Sequence, residues 1–411
     1  MSVAEYLIGD VFDVLASMPD ASVDLVLTSP PFLALRSYLP ADHPDKHKEI
    51  GSEPTPAEFL DTLLALTAEW GRVLAPHGSI CVELGDTYSG SNSGGERTDG
   101  GQYGNWPSGG TKYNLDTRPA KGTAGWPLDK SLCGIPHLYH LCLAYGRNLL
   151  TGEPSPAGQW RVRNVVAWCR PNPPVGALGD KFRPATSYMT IATRARDRWF
   201  DLDAVRGPYS ENTNARVAKG VTEKDRTGKS ADRDGNWSSL PERDNDGAGA
   251  PPLDWWNVST EPYSGSHYAT WPRKLLDRPI KAMCPMQVCT TCGQPRRRIT
   301  ETTRVRTSDG TVNPPRVAPT RDDAEGGTTA IGVRHAVESR VETIGWSDCG
   351  HNTWRNGIVL DPFAGSGTTL AVATGHGRDA IGIDLDARNA DLARERIGMF
   401  LTVTDTTGVV A

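Results

Sequence analysis

Several things are missing from this sequence, and each absence excludes something. No apolar run reaches the roughly 18 residues that a membrane-crossing helix needs, and the N-terminus carries no basic-then-apolar leader. The chain is therefore expected to work in the cytoplasm, with no membrane contact. Positive charge is not in excess, since 44 Lys and Arg stand against 49 Asp and Glu, a net charge of −5. A polyanion gets no global pull from such a chain, so contact with one must come from local basic patches. Neither an internal repeat nor a heptad pattern shows up. At 411 residues and 37% hydrophobic content, two or three structural units with a sizeable core are expected.

Two short stretches near opposite ends carry most of the information. Ile358-Val-Leu360 is an apolar run that leads into Asp361-Pro-Phe-Ala-Gly-Ser-Gly-Thr-Thr369, and the residues from Thr368 can start a helix. The pattern is strand, glycine turn, helix, a geometry that brings bare backbone against a ligand. Gly365 and Gly367 have the spacing of a dinucleotide fingerprint without its third glycine, which favours a nucleoside over a phosphate. A second strand, Ala380-Ile-Gly-Ile383, ends at Asp384, whose carboxylate could accept hydrogen bonds from both ribose hydroxyls. The plain alternative is an ordinary strand-helix-strand unit with an incidental acid.

At the other end Ser22-Val-Asp-Leu-Val-Leu27 reads as a strand running into Thr28-Ser29-Pro30-Pro31-Phe32. Two consecutive prolines lock the backbone as it leaves the sheet. An exocyclic base amine is a poor nucleophile because its lone pair is delocalised into the ring. The Ser29 hydroxyl and the Pro30 carbonyl could each accept one amine hydrogen and draw the nitrogen toward tetrahedral geometry, while Phe32 stacks on the base. Seen alone, the pentapeptide is equally a turn closing a strand.

Together these motifs resemble the S-adenosylmethionine-dependent DNA amino-methyltransferases, in the group whose Ser/Asp-Pro-Pro-aromatic motif precedes the donor-binding motif. Tyr6-Leu-Ile-Gly-Asp10, Val73 to Ile80, Asn164 to Pro173 and His267 to Pro272 resemble further family elements, so the likeness spans about residues 6 to 400. The resemblance implies an α/β fold, a doubly wound Rossmann-like methyltransferase sheet with loop insertions, its catalytic and cofactor halves permuted in sequence. It places Ser29, Pro30, Pro31 and Phe32 at the catalytic corner. Asp361, Phe363, Gly365, Gly367 and Thr368 would surround the donor and Asp384 its ribose, with His267 and Pro272 in a closing wall and Asp10 near the adenosine.

Direct transfer to an amine needs no enzyme nucleophile. The Pro-Cys pair of ring-carbon cytosine methylation does not occur: Cys284 precedes Pro285. Serine at position 29 leans toward cytosine N4, with adenine N6 the alternative. RNA or protein amines, or a catalytically silent nucleic-acid-binding module, remain further readings. DNA is the expected partner, with a cognate restriction endonuclease a second candidate.

Of eight cysteines, Cys81, Cys133, Cys142 and Cys169 sit singly in apolar surroundings and read as core. Cys289-Thr-Thr-Cys292-Gly293 is a two-residue knuckle, and Cys349-Gly-His351 offers two more ligands across a 56-residue gap. These four would close a tetrahedral structural zinc site, with Cys284 an alternative to His351; the opposing reading is a set of reduced surface thiols.

The expected organisation is a catalytic half at 1–205 with a Gly/Ser-rich loop at 88–125, either a lid or a plain insertion. It continues with a basic target-recognition insertion at 206–254, or a solvated linker, in which Asn212, Asn214 and Arg216 could reach bases. A cofactor-covering helix at 255–283, a zinc-knuckle insertion at 284–351 and a cofactor half at 352–411 complete it. Strands are expected at Val162–Ala167, Ser187–Ala192 and Asp197–Leu202, and a helix from Ser131 to Tyr145. Arg296-Arg-Arg298 is a second candidate DNA contact. Trp168 is either a wall of an extruded-base pocket or a core residue.

Overall fold

The computed structural model describes residues 2–35, 37–40, 42–90, 124–173, 180–209, 249–261, 271–306 and 337–406. His267, Asn212, Asn214, Arg216 and most of the 88–125 and 206–254 insertions lie outside the described residues.

Nine strands form one sheet. In chain order they are β1 (Ala4–Ile8), β2 (Val23–Thr28), β3 (Leu74–Leu84), β4 (Arg161–Cys169), β5 (Thr186–Thr193), β6 (Trp255–Asn257), β11 (Ile358–Asp361), β12 (Asp379–Asp384) and β13 (Leu401–Asp405), and they lie side by side as β13-β1-β12-β11-β2-β3-β5-β4-β6. The run from β13 to β3 is parallel; β5 is antiparallel to both β3 and β4. Short strands β7 (Gln287–Cys289) and β10 (Trp354–Asn356) pair with each other.

The decisive junction is β11 against β2, with Val359 opposite Leu25 and Leu360 opposite Val26. From β11 the chain winds to one side through β12, and from β2 to the other through β3. This is a switch point, where loops leaving the carboxyl ends diverge and open a crevice.

Buried strand residues alternate between two helix layers, as the two-residue period of a strand requires. Val26, Ile80, Leu360 and Ile383 join one core cluster with α1 (Val11–Ser17), α2 (Pro56–Val73) and α3 (Ile135–Tyr145). Their strand neighbours Leu25, Leu27 and Cys81 are equally buried, and α4 (Arg273–Met283) packs on β2 and β3. Helices α5 (Thr368–Gly375) and α6 (Arg388–Ile397) continue that second layer through α4–α5 and α5–α6 packing.

Helix α2 shows how local sequence sets the frame. Thr55 caps it by accepting from Glu58 N at 3.2 Å, its hydroxyl donates to Glu58 Oε2 at 2.8 Å, and Pro56 occupies the first turn. Phe59, Leu60, Leu63, Leu64, Leu66, Trp70 and Val73 then face the core. Removing the cap would cost about 1 kcal/mol, and Leu63→Ala about 2–5 kcal/mol.

Three sequence expectations shift. Asp197–Leu202 is not a strand: Trp199 N donates to His77 O, early in β3 and ahead of its ladder with β5, and Asp201 N to Ala282 O near the end of α4, both 2.9 Å, so this extended piece makes single backbone bonds to a strand and a helix end instead of a ladder. The helix expected from Ser131 begins at Ile135, because Gly134 (φ 73°) precedes it in a left-handed conformation and Asp86 accepts from Gly134 N and Ile135 N. Among the described residues of 255–283, Trp255–Asn257 is a strand beside β4, and Arg273–Met283 is helical.

Compact unit one comprises Met1–Asp201, Leu253–Arg297 and Asp348–Ala411; it contains the sheet. Unit two comprises Leu202–Pro252 and Arg298–Ser347, and its described part is mainly the antiparallel pair β8 (Arg298–Arg306) and β9 (Val337–Trp346). No helix among the described residues is long and apolar enough to cross a membrane.

Candidate active site

The two sequence motifs meet. Thr28, the last residue of β2, donates its hydroxyl to Asp361 Oδ1 at 2.7 Å, and Asp361 is the last residue of β11. Thr369 donates to the other oxygen at 2.5 Å and Phe363 N to Oδ1 at 3.2 Å. Asp361 is 2% exposed, and burial pushes its carboxyl up to about 6, against the hydroxyls of Thr369 and Thr28 that favour the ionised form. The resemblance places Asp361 at the donor; in the structure each of its oxygens accepts from the protein. It fastens the end of β2, where the Ser-Pro-Pro corner begins, to the glycine turn and helix α5.

In the turn itself Gly365 (φ 51°) and Gly367 (φ 74°) take the left-handed conformation open to glycine. Tyr6, buried in β1, donates its hydroxyl to Gly365 O at 2.7 Å. A Cβ on Gly367 would lie 2.9 Å from Ala393 Cβ, so this glycine lets α5 start against α6. The Thr368 hydroxyl takes a hydrogen bond from Arg396 of α6.

Asp384 ends β12 beside the turn. Its Oδ2 accepts from Gly365 N at 2.8 Å, and its Oδ1 from Asp386 N and Asn389 Nδ2 at 2.8 and 3.1 Å. Burial pushes this carboxyl too up to about 6. Oδ2 accepts one bond from the protein and retains a lone pair for another donor. Asp10 caps α1, accepting from Phe12 N and Asp13 N at 2.9 and 3.2 Å. Pro272 is the N-cap of α4.

At the Ser-Pro-Pro corner the structure adds a residue that sequence reading missed. Ser29 donates its hydroxyl to Glu83 Oε2 at 2.6 Å. Glu83 lies near the end of β3 and is 3% exposed. Burial raises its pKa, opposed by hydrogen bonds with Ser187 and Ser29 and by the charge of Arg170, which itself donates to Ser187 at 3.1 Å. The available signal was a lone carboxylate inside the otherwise apolar run Ile80-Cys-Val-Glu-Leu84. With its hydrogen committed to Glu83, Ser29 Oγ offers lone pairs to whatever enters. Gly85 was missed as well. A Cβ there would stand 2.6 Å from Phe32 Cε2, so the Phe32 ring lies directly on this residue.

Trp168 is a core residue, 5% exposed, its Nε1 donating to Val258 O at 2.8 Å and its ring covered by Arg170. Arg296 lies over Trp354 and donates to Gln287 Oε1 at 3.0 Å, while Arg298 lies over Trp346 and donates to Thr343 Oγ1 at 2.8 Å.

The model of a family described as DNA methylase, for N6 and N4 methylation, matches residues 23–288 and 350–395, taking in both the Ser29 corner and the glycine turn. The chain belongs to this family. The methylase is 26% identical over 272 residues to Type II methyltransferase M.XycI of Xanthomonas campestris pv. cyanopsidis, covering 65% of this chain and 68% of the relative. It is 22% identical over 394 residues to Type II methyltransferase M.SmaI of Serratia marcescens, covering 95% and 89%. Among solved structures it is similar to PvuII DNA methyltransferase (cytosine-N4-specific), with TM-score 0.46, 14% identity and 96% and 86% coverage. A putative DNA modification methylase of Thermus thermophilus, solved with S-adenosyl-L-methionine, gives TM-score 0.44, 18% identity and full coverage of both chains.

The methylase is thus an S-adenosylmethionine-dependent enzyme acting on an exocyclic amine of DNA. Its residues fit that cofactor on two counts. Asp384 has acceptor capacity left beside the glycine turn, and Ser366, between the two glycines, has a buried hydroxyl with no hydrogen-bond partner.

Proposed function

We propose that the methylase transfers the methyl group to the N4 amine of cytosine at a specific DNA word. The observation carrying this reading is a neutral hydroxyl, Ser29, held as an acceptor by a buried carboxylate at the strand exit. The family resemblance links serine at this place with cytosine and aspartate with adenine.

S-adenosylmethionine supplies an electrophilic methyl on a sulfonium sulfur. Asp384 would hold its ribose, with Gly365 and Phe363 alongside. Ser29 Oγ and the Pro30 carbonyl each accept one hydrogen of the base amine, raising electron density on nitrogen and aiming its lone pair. Phe32 stacks on the base and, backed by Gly85, sets the ring plane. As the nitrogen–carbon bond forms, the carbon–sulfur bond breaks and the nitrogen becomes acidic. Ser29 takes up its proton while passing its own hydrogen to Glu83, so charge and protons balance without an enzyme-linked methyl.

A base inside a duplex is out of reach of such a corner, so the target nucleotide is extruded first. The relatives are named Type II methyltransferases. A cognate endonuclease reading the same word is therefore the expected partner, and the cytoplasm the expected place of work.

The test is to incubate the methylase with labelled donor and duplex DNA, RNA and protein acceptors, then digest labelled DNA to nucleosides. Label in N4-methyldeoxycytidine is expected. Label in N6-methyldeoxyadenosine overturns the base assignment.

A further inference from the structure

Cys289, Cys292, Cys349 and His351 converge although 56 residues separate the two pairs. Their four ligand atoms all lie within 4.8 Å of one another, and Cys289 Sγ is 3.6 Å from His351 Nδ1. In a tetrahedral site with metal–sulfur bonds of about 2.3 Å and metal–nitrogen bonds of about 2.0 Å, sulfur–sulfur separations are about 3.8 Å and sulfur–nitrogen about 3.5 Å. One separation already matches, and the others need at most about an ångström of closure.

Packing does not explain this cluster. Cysteine is normally a buried apolar residue, yet Cys292 and His351 are exposed and Cys349 is half-buried. The backbone is shaped around the sulfurs. Thr291 N points at Cys289 Sγ at 3.4 Å, Gly293 N bonds Cys289 O at 2.9 Å, and Cys289 N bonds Gln294 O at 2.9 Å. Gly293 (φ 70°) and Gly350 (φ 81°) make the two tight turns. Thr290 N to Thr353 O at 3.0 Å, and the pairing of Cys289 with Trp354, tie the pairs together. Strands β7 and β10 have three residues each, too few to hold such an arrangement unaided. Cys284, the alternative ligand, is outside the group: it is fully buried at the end of α4, beside the Arg378 guanidinium that bonds its carbonyl oxygen.

We propose that Cys289, Cys292, Cys349 and His351 bind one structural zinc ion, which clips together the two chain ends from which the 298–347 segment departs. Three thiolates and an imidazole are the soft, tetrahedral donor set that zinc prefers, and four protein ligands leave no position for catalysis. Loading exchanges the remaining thiol protons for Zn²⁺; no oxidation or reduction occurs.

The test uses the full chain purified without chelator. Expected are one zinc per chain by mass spectrometry, and slow reaction of Cys292 and Cys349 with a thiol reagent until a chelator strips the metal. Cobalt exchange should give the intense visible bands of tetrahedral thiolate coordination. The double variant Cys292→Ser/Cys349→Ser should lose metal and bands while binding S-adenosylmethionine within about threefold of the parent; that binding serves as the folding control. Failure of the reduced parent to take up stoichiometric zinc or cobalt, or retention of the metal by a folded double variant, overturns the proposal.

Discussion

Replacing Glu83 by glutamine separates two ways in which a buried carboxylate could serve Ser29. The amide keeps the shape: its oxygen can still accept from Ser29 Oγ, and its nitrogen can face Ser187, whose hydroxyl can accept in turn. What disappears is the charge and the ability to take a proton. If Glu83 only steadies the Ser29 hydroxyl, the loss is the difference between a charge-assisted and a neutral hydrogen bond, about 1 kcal/mol and hence about fivefold in rate. If it also receives the proton released by the amine, the loss is that of a general base, about 10²–10⁴-fold. The mechanism above requires the larger figure.

The assay is single-turnover methylation of duplex DNA with labelled donor, followed across pH, with thermal unfolding as a fold control. Burial raises the Glu83 pKa, so the carboxylate is protonated at low pH and gains its acceptor role as pH rises through that raised value. Parent turnover should therefore climb with pH and level off, and Glu83→Gln should lack that contribution while binding donor normally. A loss of about fivefold or less, with an unaltered pH profile, would refute the reasoning.

Two further perturbations probe the neighbouring contacts. Asp384→Ala removes an acceptor beside the glycine turn and frees Gly365 N, so calorimetry should show donor binding weakened by about tenfold or more, equivalent to one or two charged hydrogen bonds; an unchanged dissociation constant would reject the ribose assignment. Gly85→Ala puts a methyl 2.6 Å from the Phe32 ring, so turnover should fall by about tenfold or more with donor affinity intact, and a fully active variant would show that the ring position does not matter.

How much of this was legible in the sequence depended on whether a residue acts through its neighbours in the chain. The strand-turn-helix from Ile358 and the proline-locked exit at Ser29 are local patterns, and they survive in the fold because strand period and proline stereochemistry need no tertiary information. Adjacency of the two motifs could be expected only through the family resemblance, and β11 paired with β2 bears it out. The tie that Asp361 makes between the two motifs could not be read, because its partners, Thr28 and Thr369, are revealed only by folding. Glu83 and Tyr6 escaped for the same reason, each acting on a residue far away in the chain. The Asp197–Leu202 piece has strand composition but lies where it can make only single backbone bonds, one to the early part of β3 and one to a helix end.

The permuted order also has a temporal consequence. Strand β2 borders a strand that begins at residue 358, and β1 lies between strands that begin at residues 379 and 401. At a synthesis rate of about 5–20 residues per second, the first two strands therefore wait roughly 15–80 s before those neighbours emerge from the ribosome. During that interval their apolar edges are open to wrong partners, and a chaperone that shields nascent chains should raise the yield of active enzyme more than it would for a relative whose halves run in the opposite order.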